Sequence, residues 1–321
     1  MENFDQNRPK KDKTAKQKWN DFTKATGAAA KNVAGKAADA ASKSQQVIVS
    51  ALDANGDEKI DINDIIILGL RTPGIRVDRA AFLRAEFRKR YLPEVIEDAI
   101  KHTPAHAKIP REEIDKIADD VIQFERNCVS GISTVLGMPG GAAVAATIPV
   151  DIIQYYGYML RATQKLLYLY GFPEIDTTEE NLTFDSETVN LLILCMGVMY
   201  GAAGANQAIQ AMARGLAVGV EKKLLKTALT KGTVYPVVKS VSHWFGQNMT
   251  KQIFAGFFKK AIPVVGGVIG GGITYISFKP CCDKLKASLQ NTILIDPHAK
   301  GGENDMEIEA DVVDITDEPA G

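Results

Sequence analysis

The chain is predicted to be all-α, and three features of the sequence predict it. Apolar residues recur at helical spacing, and no strand-period alternation of useful length appears. Helix starts are marked by proline or by a capping residue followed by acids, as in Pro110-Arg111-Glu112-Glu113 and Asp185-Ser186-Glu187. Long uncharged runs rich in alanine and glycine stand between these marks, of a kind that buries nearly every helix face.

Taken in order, the chain divides into four parts. A basic, flexible arm covers 1–43, a helix–loop–helix unit 44–75, a large helical domain 76–292 and an acidic disordered tail 293–321. Trp19 and Phe22 in the arm lie among Lys13, Lys16, Lys18 and Lys24, which fits either a solvated tail or an amphipathic helix on anionic lipid. An apolar-periodic run from Ser44 to Leu52 leads into a loop, and a second from Ile62 to Leu70 leads out of it. Thr72-Pro73-Gly74 breaks the chain, and helices are predicted from about Asp78 to Tyr91, Pro93 to His102, and Pro110 to Asn127. One long helix is predicted to open at Pro149, with Asp151 in its first turn, and to end before Gly171 and Pro173. Another starts at Asp185-Ser186-Glu187 and runs through to Ala213, and a last one starts at Pro263.

Composition narrows the classes. Hydrophobic residues make up 45% and charged residues 24% of 321, which argues against wholesale disorder and against a polytopic membrane protein. The net charge of -1 hides a basic N-terminal end and an acidic C-terminal one. Cys128, Cys195, Cys281 and Cys282 show no CxxC spacing, so reduced thiols are expected. The N-terminal residues lack the apolar core of a secretory signal, which predicts a cytoplasmic protein, either free or peripheral to or inserted in the inner membrane.

The loop from Asp53 to Asp64 carries the most specific chemistry. A hard, seven-coordinate cation needs oxygen donors at loop positions 1, 3, 5, 7, 9 and 12. On DANGDEKIDIND these are Asp53, Asn55, Asp57, the carbonyl of Lys59, Asp61 and Asp64, with Ile60 at the inward-packing eighth position. A Ca²⁺ site of EF-hand type is therefore predicted. Asp64 is one methylene shorter than the usual glutamate, which makes Mg²⁺ a competitor, and Glu58 stands where glycine is expected. The loop also resembles dockerin repeats, though only one copy is present. The alternative is an acidic turn that binds nothing.

Three uncharged stretches, Cys128 to Val150, Thr188 to Ala213 and Ala261 to Phe278, approach or exceed the length of a bilayer-crossing helix. Gly266, Gly267, Gly270 and Gly271 set two overlapping GxxxG registers between Lys259-Lys260 and Lys279. Asn206, Gln207 and Gln210 oppose a membrane reading of the second stretch, so a packed helical core and a membrane-contacting segment both stay open.

The blocks IPVDIIQYYGYMLRATQKLLYLYG and KKAIPVVGGVIGGGITYISFKPCCDKL resemble the EcsC family over roughly Pro110 to Leu289. The resemblance implies a helical, membrane-proximal bacterial protein and no particular reaction. It leaves the calcium loop, the arm and the tail uncovered.

No catalytic constellation is legible. Asp151 is accounted for by a helix N-terminus, and Arg161 lies about 15 Å further along the same helix, too far to pair with it. Gln154, Arg161 and Gln164 could line a polar seam. His102, His106, His243 and His298 show no cysteine or acid at metal spacing, which predicts no zinc site. Cys281-Cys282 reads first as a pair of small buried residues, with acylation or redox chemistry the alternative near a membrane. Walker, Rossmann and GxSxG motifs are missing, and nucleic acid is not an expected partner. The expectation is thus a calcium-binding, non-catalytic protein that meets a membrane surface or a protein partner. Its rivals are a lipid-directed enzyme with a site among Asp151, Gln154 and Arg161, and a scaffold with a structural calcium clip.

Overall fold

The computed structural model describes residue 54 and residues 61–136, 143–178, 182–217, 222–248 and 271–295. These are all-α, with ten α-helices and one short 3-10 turn among the described residues. The helices are α1 (Ile62–Arg71), α2 (Arg79–Phe87), α3 (Pro93–Lys101), α4 (Arg111–Leu136), α5 (Ala143–Leu169), α6 (Glu187–Tyr200), α7 (Ala205–Ala217), α8 (Lys222–Thr230), α9 (Tyr235–Asn248) and α10 (Gly271–Leu289). The basic arm, loop residues 53 and 55–60, the GxxxG registers at 266–270 and the acidic tail from 296 lie outside the described residues.

Helices α5 and α6 occupy the centre. The first is packed by α1, α2, α4 and α10, the second by α1, α7, α8, α9 and α10. Their composition explains the position, because Tyr158, Met159, Leu160, Leu166 and Leu167 on α5 and Leu192 to Met196 on α6 are buried on successive faces. Helix α4 is amphipathic instead. Ile114, Ile117, Ala118, Val121, Ile122, Cys128 and Val129 form its buried stripe, and it lies against α5 and α10.

Helix α1 is part of this core. Ile62, Ile65, Ile66, Ile67 and Leu70 are all buried, and the helix packs on α5, α6 and α9. The approach to α5 is close: a Cβ added at Gly69 would stand 2.8 Å from Leu160 Cδ1, and Gly157 lies directly beneath. After α1, the segment 75–77 is tied to α5 by the buried Gln164 amide, which donates to the Ile75 carbonyl and accepts from the Val77 N–H.

Several predicted boundaries move. Helix α5 begins at Ala143 and runs through Pro149, so Asp151 is well inside it, and a first-turn location no longer accounts for that residue. The macrodipole falls off within one turn. The predicted helix from 187 to 213 is two helices, because Gly201 adopts a left-handed conformation (φ 78°) and closes α6. At 14 and 13 residues, α6 and α7 span about 20 Å each, short of the roughly 30 Å hydrocarbon layer. Among the described residues no helix is long and apolar enough to cross a membrane.

Candidate functional site

Two of the six predicted calcium ligands, Asp61 and Asp64, fall within the described residues; Asp53, Asn55, Asp57 and Lys59 lie outside them. Asp61 is the N-cap of α1. Its Oδ1 accepts from the N–H groups of Asn63 (2.7 Å) and Asp64 (3.3 Å), while Asp64 Oδ2 accepts from the Asp61 N–H at 2.8 Å, a reciprocal capping box. The other Asp64 oxygen accepts from the Ala54 N–H at 2.9 Å. The second and twelfth residues of the loop therefore touch, and Asp64 is wholly buried where they do. A carboxylate oxygen offers two lone pairs, so an oxygen that holds one amide can still face a cation.

A second cluster lies between α4 and α5. Glu125, wholly buried, meets Lys165 Nζ at 2.5 Å and Arg161 Nε at 3.3 Å. Lys165 also lies over the rings of Phe82 and Phe124, at 5.6 and 5.4 Å. Burial pushes the nearby Glu86 carboxyl up, with Lys165 and Lys89 opposing it. Gln154, Arg161 and Gln164 do not line one seam, since Gln164 serves the 75–77 segment and Arg161 serves Glu125. Glu125 is not among the residues that the motifs single out, although its signal is present: an acid at the next step of the stripe that runs 114, 118, 121 and 122, where an apolar residue belongs.

The third cluster contradicts the expectation that no acid stands beside the histidines. Asp98 is one helical turn before His102, and its two oxygens meet His102 Nδ1 at 2.9 Å and His106 Nδ1 at 3.1 Å. These interactions, His102 first, hold the Asp98 carboxyl below the usual carboxylate range. The imidazole rings lie tilted by 34° to each other with centroids 4.2 Å apart. His106 arrives by a turn, which is why linear spacing did not reveal it. That turn rests on Arg79, a buried guanidinium that donates to the carbonyls of Ala99, Ile100 and His102 at the end of α3 and to Phe172 after α5. Burial lowers the Arg79 pKa, opposed by Tyr168 and Glu174.

The four cysteines are free and buried. Burial pushes the Cys128 thiol up to about 12 and that of Cys281 to about 11, and raises Cys195 and Cys282 as well, so none is poised as a nucleophile. The comparisons gave no match: no family model, curated protein or solved structure aligns significantly with this chain.

Proposed function

We propose that this protein is a calcium-binding, non-catalytic helical protein in which a single EF-hand-like loop acts as a fixed clip on a domain of EcsC type, and that the domain serves to contact a protein partner or a membrane surface. The observation that carries the reading is the contact between Ala54 and Asp64. It brings positions 2 and 12 of a sequence with a full set of oxygen donors together over a helix that is itself core. A cation there would be linked to the stability of the whole domain, since Ile62 to Leu70 cannot leave without opening the packing against α5 and α6.

Linkage sets the expected size. Calcium at a hundred times its dissociation constant adds about 2.7 kcal/mol, which in a domain of this size raises Tm by roughly 5–11 °C. The test is a calorimetric calcium titration of the full chain beside an Asp53→Ala, Asp57→Ala double variant, with thermal melts and liposome sedimentation for each. One calcium per chain, a raised Tm and neither effect in the variant would support the clip; sedimentation only with calcium would make the contact a calcium-gated membrane one. Equal heats and equal melts in both proteins would reduce the loop to an acidic turn. Mg²⁺ in the same titration measures the competition that the short Asp64 side chain predicts.

A further inference from the structure

We propose that Asp98, His102 and His106 form a binding site for a divalent transition-metal ion of the zinc class, held by two imidazole nitrogens and one carboxylate oxygen. The site is separate from the calcium loop and does not depend on it.

The donor set is the first argument. Imidazole nitrogen and carboxylate oxygen suit zinc and its neighbours, whereas calcium and magnesium take oxygen alone. One donor atom from each of the three residues lies within 4.8 Å of the others. A tetrahedral ion with bonds of about 2.0–2.1 Å holds its ligand atoms roughly 3.3 Å apart. His102 Nδ1 lies 2.9 Å from one Asp98 oxygen and His106 Nδ1 3.1 Å from the other, both near that value, so rotation of the exposed side chains brings a single oxygen within reach of both rings.

Preorganisation is the second. Asp98 on α3 and His102, the residue that caps it, stand one helical turn apart, and the His102 N–H donates to the Asp98 carbonyl. His106 is delivered by a turn that the protein holds firmly: Thr103 Oγ1 accepts from the His106 N–H at 3.0 Å, the Ala107 N–H donates to the Thr103 carbonyl, and the Ile109 N–H donates to that of Pro104. Lys108 takes the left-handed conformation that closes the turn (φ 59°). Beneath it, Arg79 binds the carbonyls of residues 99, 100 and 102. Three hydrogen-bonded side chains at an exposed position contribute little to stability by themselves, yet a buried arginine fixes the backbone that carries them.

In the metal-free arrangement each Nδ1 carries the hydrogen that it donates to Asp98, because an ionised carboxylate only accepts. Metal binding to the neutral rings moves that proton to Nε2 and frees the Nδ1 lone pair, and the carboxylate turns from acceptor to ligand. Three protein donors leave the fourth position of the ion to water.

The test uses the full chain without an added histidine tag, stripped with chelator and held in excess calcium so that the loop does not contribute. Zn²⁺ is titrated by calorimetry, and Co²⁺ is followed by its visible absorption, into the wild type and the variants His102→Gln, His106→Gln and His243→Gln. The expected result is one zinc per chain, with affinity reduced more than about tenfold in each of the first two variants, the lower bound for loss of even an outer partner of a metal ligand. His243→Gln should match the wild type, and thermal melts should show all three folded. Absence of zinc binding, or unchanged binding in both His102→Gln and His106→Gln, would overturn the proposal and leave a hydrogen-bonded triplet.

Discussion

Replacing Glu125 with glutamine is expected to destabilise the fold severely, and the reason is charge rather than shape. The substitution keeps the volume and one acceptor oxygen but removes the negative charge that Lys165 and Arg161 share. The two cations are themselves largely buried, with side-chain exposures of 11% and 15%, so solvent screens them only in part. Breaking a buried ion pair from one side costs about 3–5 kcal/mol. The lower end applies here, because Glu86 lies close enough to Lys165 to take up some of its charge. At roughly 2–4 °C per kcal/mol, a loss of about 3 kcal/mol lowers Tm by about 6–12 °C. Urea unfolding followed by circular dichroism reads the free energy directly. The triple variant Glu125→Leu, Arg161→Met, Lys165→Met serves as the companion, since replacing a whole buried cluster with apolar side chains of similar size is commonly neutral or stabilising. If Glu125→Gln unfolds within about 0.5 kcal/mol of the wild type, the cluster is hydrated in solution and the electrostatic account of the α4–α5 interface is wrong.

Two further predictions concern backbone and pH. Gly197→Ala places a Cβ 2.8 Å from Val241 Cγ1 and 2.9 Å from the Ala205 Cβ, so it should cost about 1–3 kcal/mol through overpacking between α6 and its neighbours; Gly201→Ala meets nothing within 4 Å and should cost about 1 kcal/mol through its positive φ alone, both readable as urea midpoints. Partial burial works against the Asp185 carboxylate, but the Tyr235 hydroxyl at 2.6 Å, Lys239 Nζ at 2.9 Å and the Asn190 amide outweigh it and hold its pKa below the ordinary value. A depressed folded-state pKa stabilises above the unfolded value, near 3.9, and that contribution is lost as pH falls through the folded one. The stability of Asp185→Asn should therefore fall less steeply than that of the wild type below about pH 4, and parallel acid limbs in urea titrations of the two proteins would refute it.

The helical class was legible because caps and prolines sit at helix ends: Ser186 does cap α6, Pro93 does open α3, and Gly171 with φ 89° follows the end of α5. Two boundaries differ because one local signal yields and another prevails. Pro149 marks a helix start by propensity but sits inside α5, and Gly201 breaks a run whose apolar pattern continues unbroken across it. The clusters were harder, since each depends on partners brought from a distance. Lys165 finds Glu125 forty residues earlier on another helix. Asp98 and His102 obey a helical spacing that the sequence displays, whereas His106 joins them only because a turn of unusual backbone folds it back. Asp61 and Asp64 were legible as a pattern, and their capping box follows from the same spacing.

Arg79 has a consequence for the order in which the chain can fold. Its guanidinium joins the end of α3 to Phe172, and its own N–H donates to Glu174, partners 93 and 95 residues later. A guanidinium that binds three carbonyls without the fourth, and without α5 above it, stays in water and has little reason to close the hairpin of α2 and α3. At the ribosome's pace of about 5–20 residues per second, that hairpin waits roughly 4–14 seconds after its synthesis for the residues that complete it. The early helices of this protein are thus made first and finished late, and a pause or a truncation before α5 would leave the buried Phe82, Leu83 and Phe87 of α2 without the helix against which α2 packs.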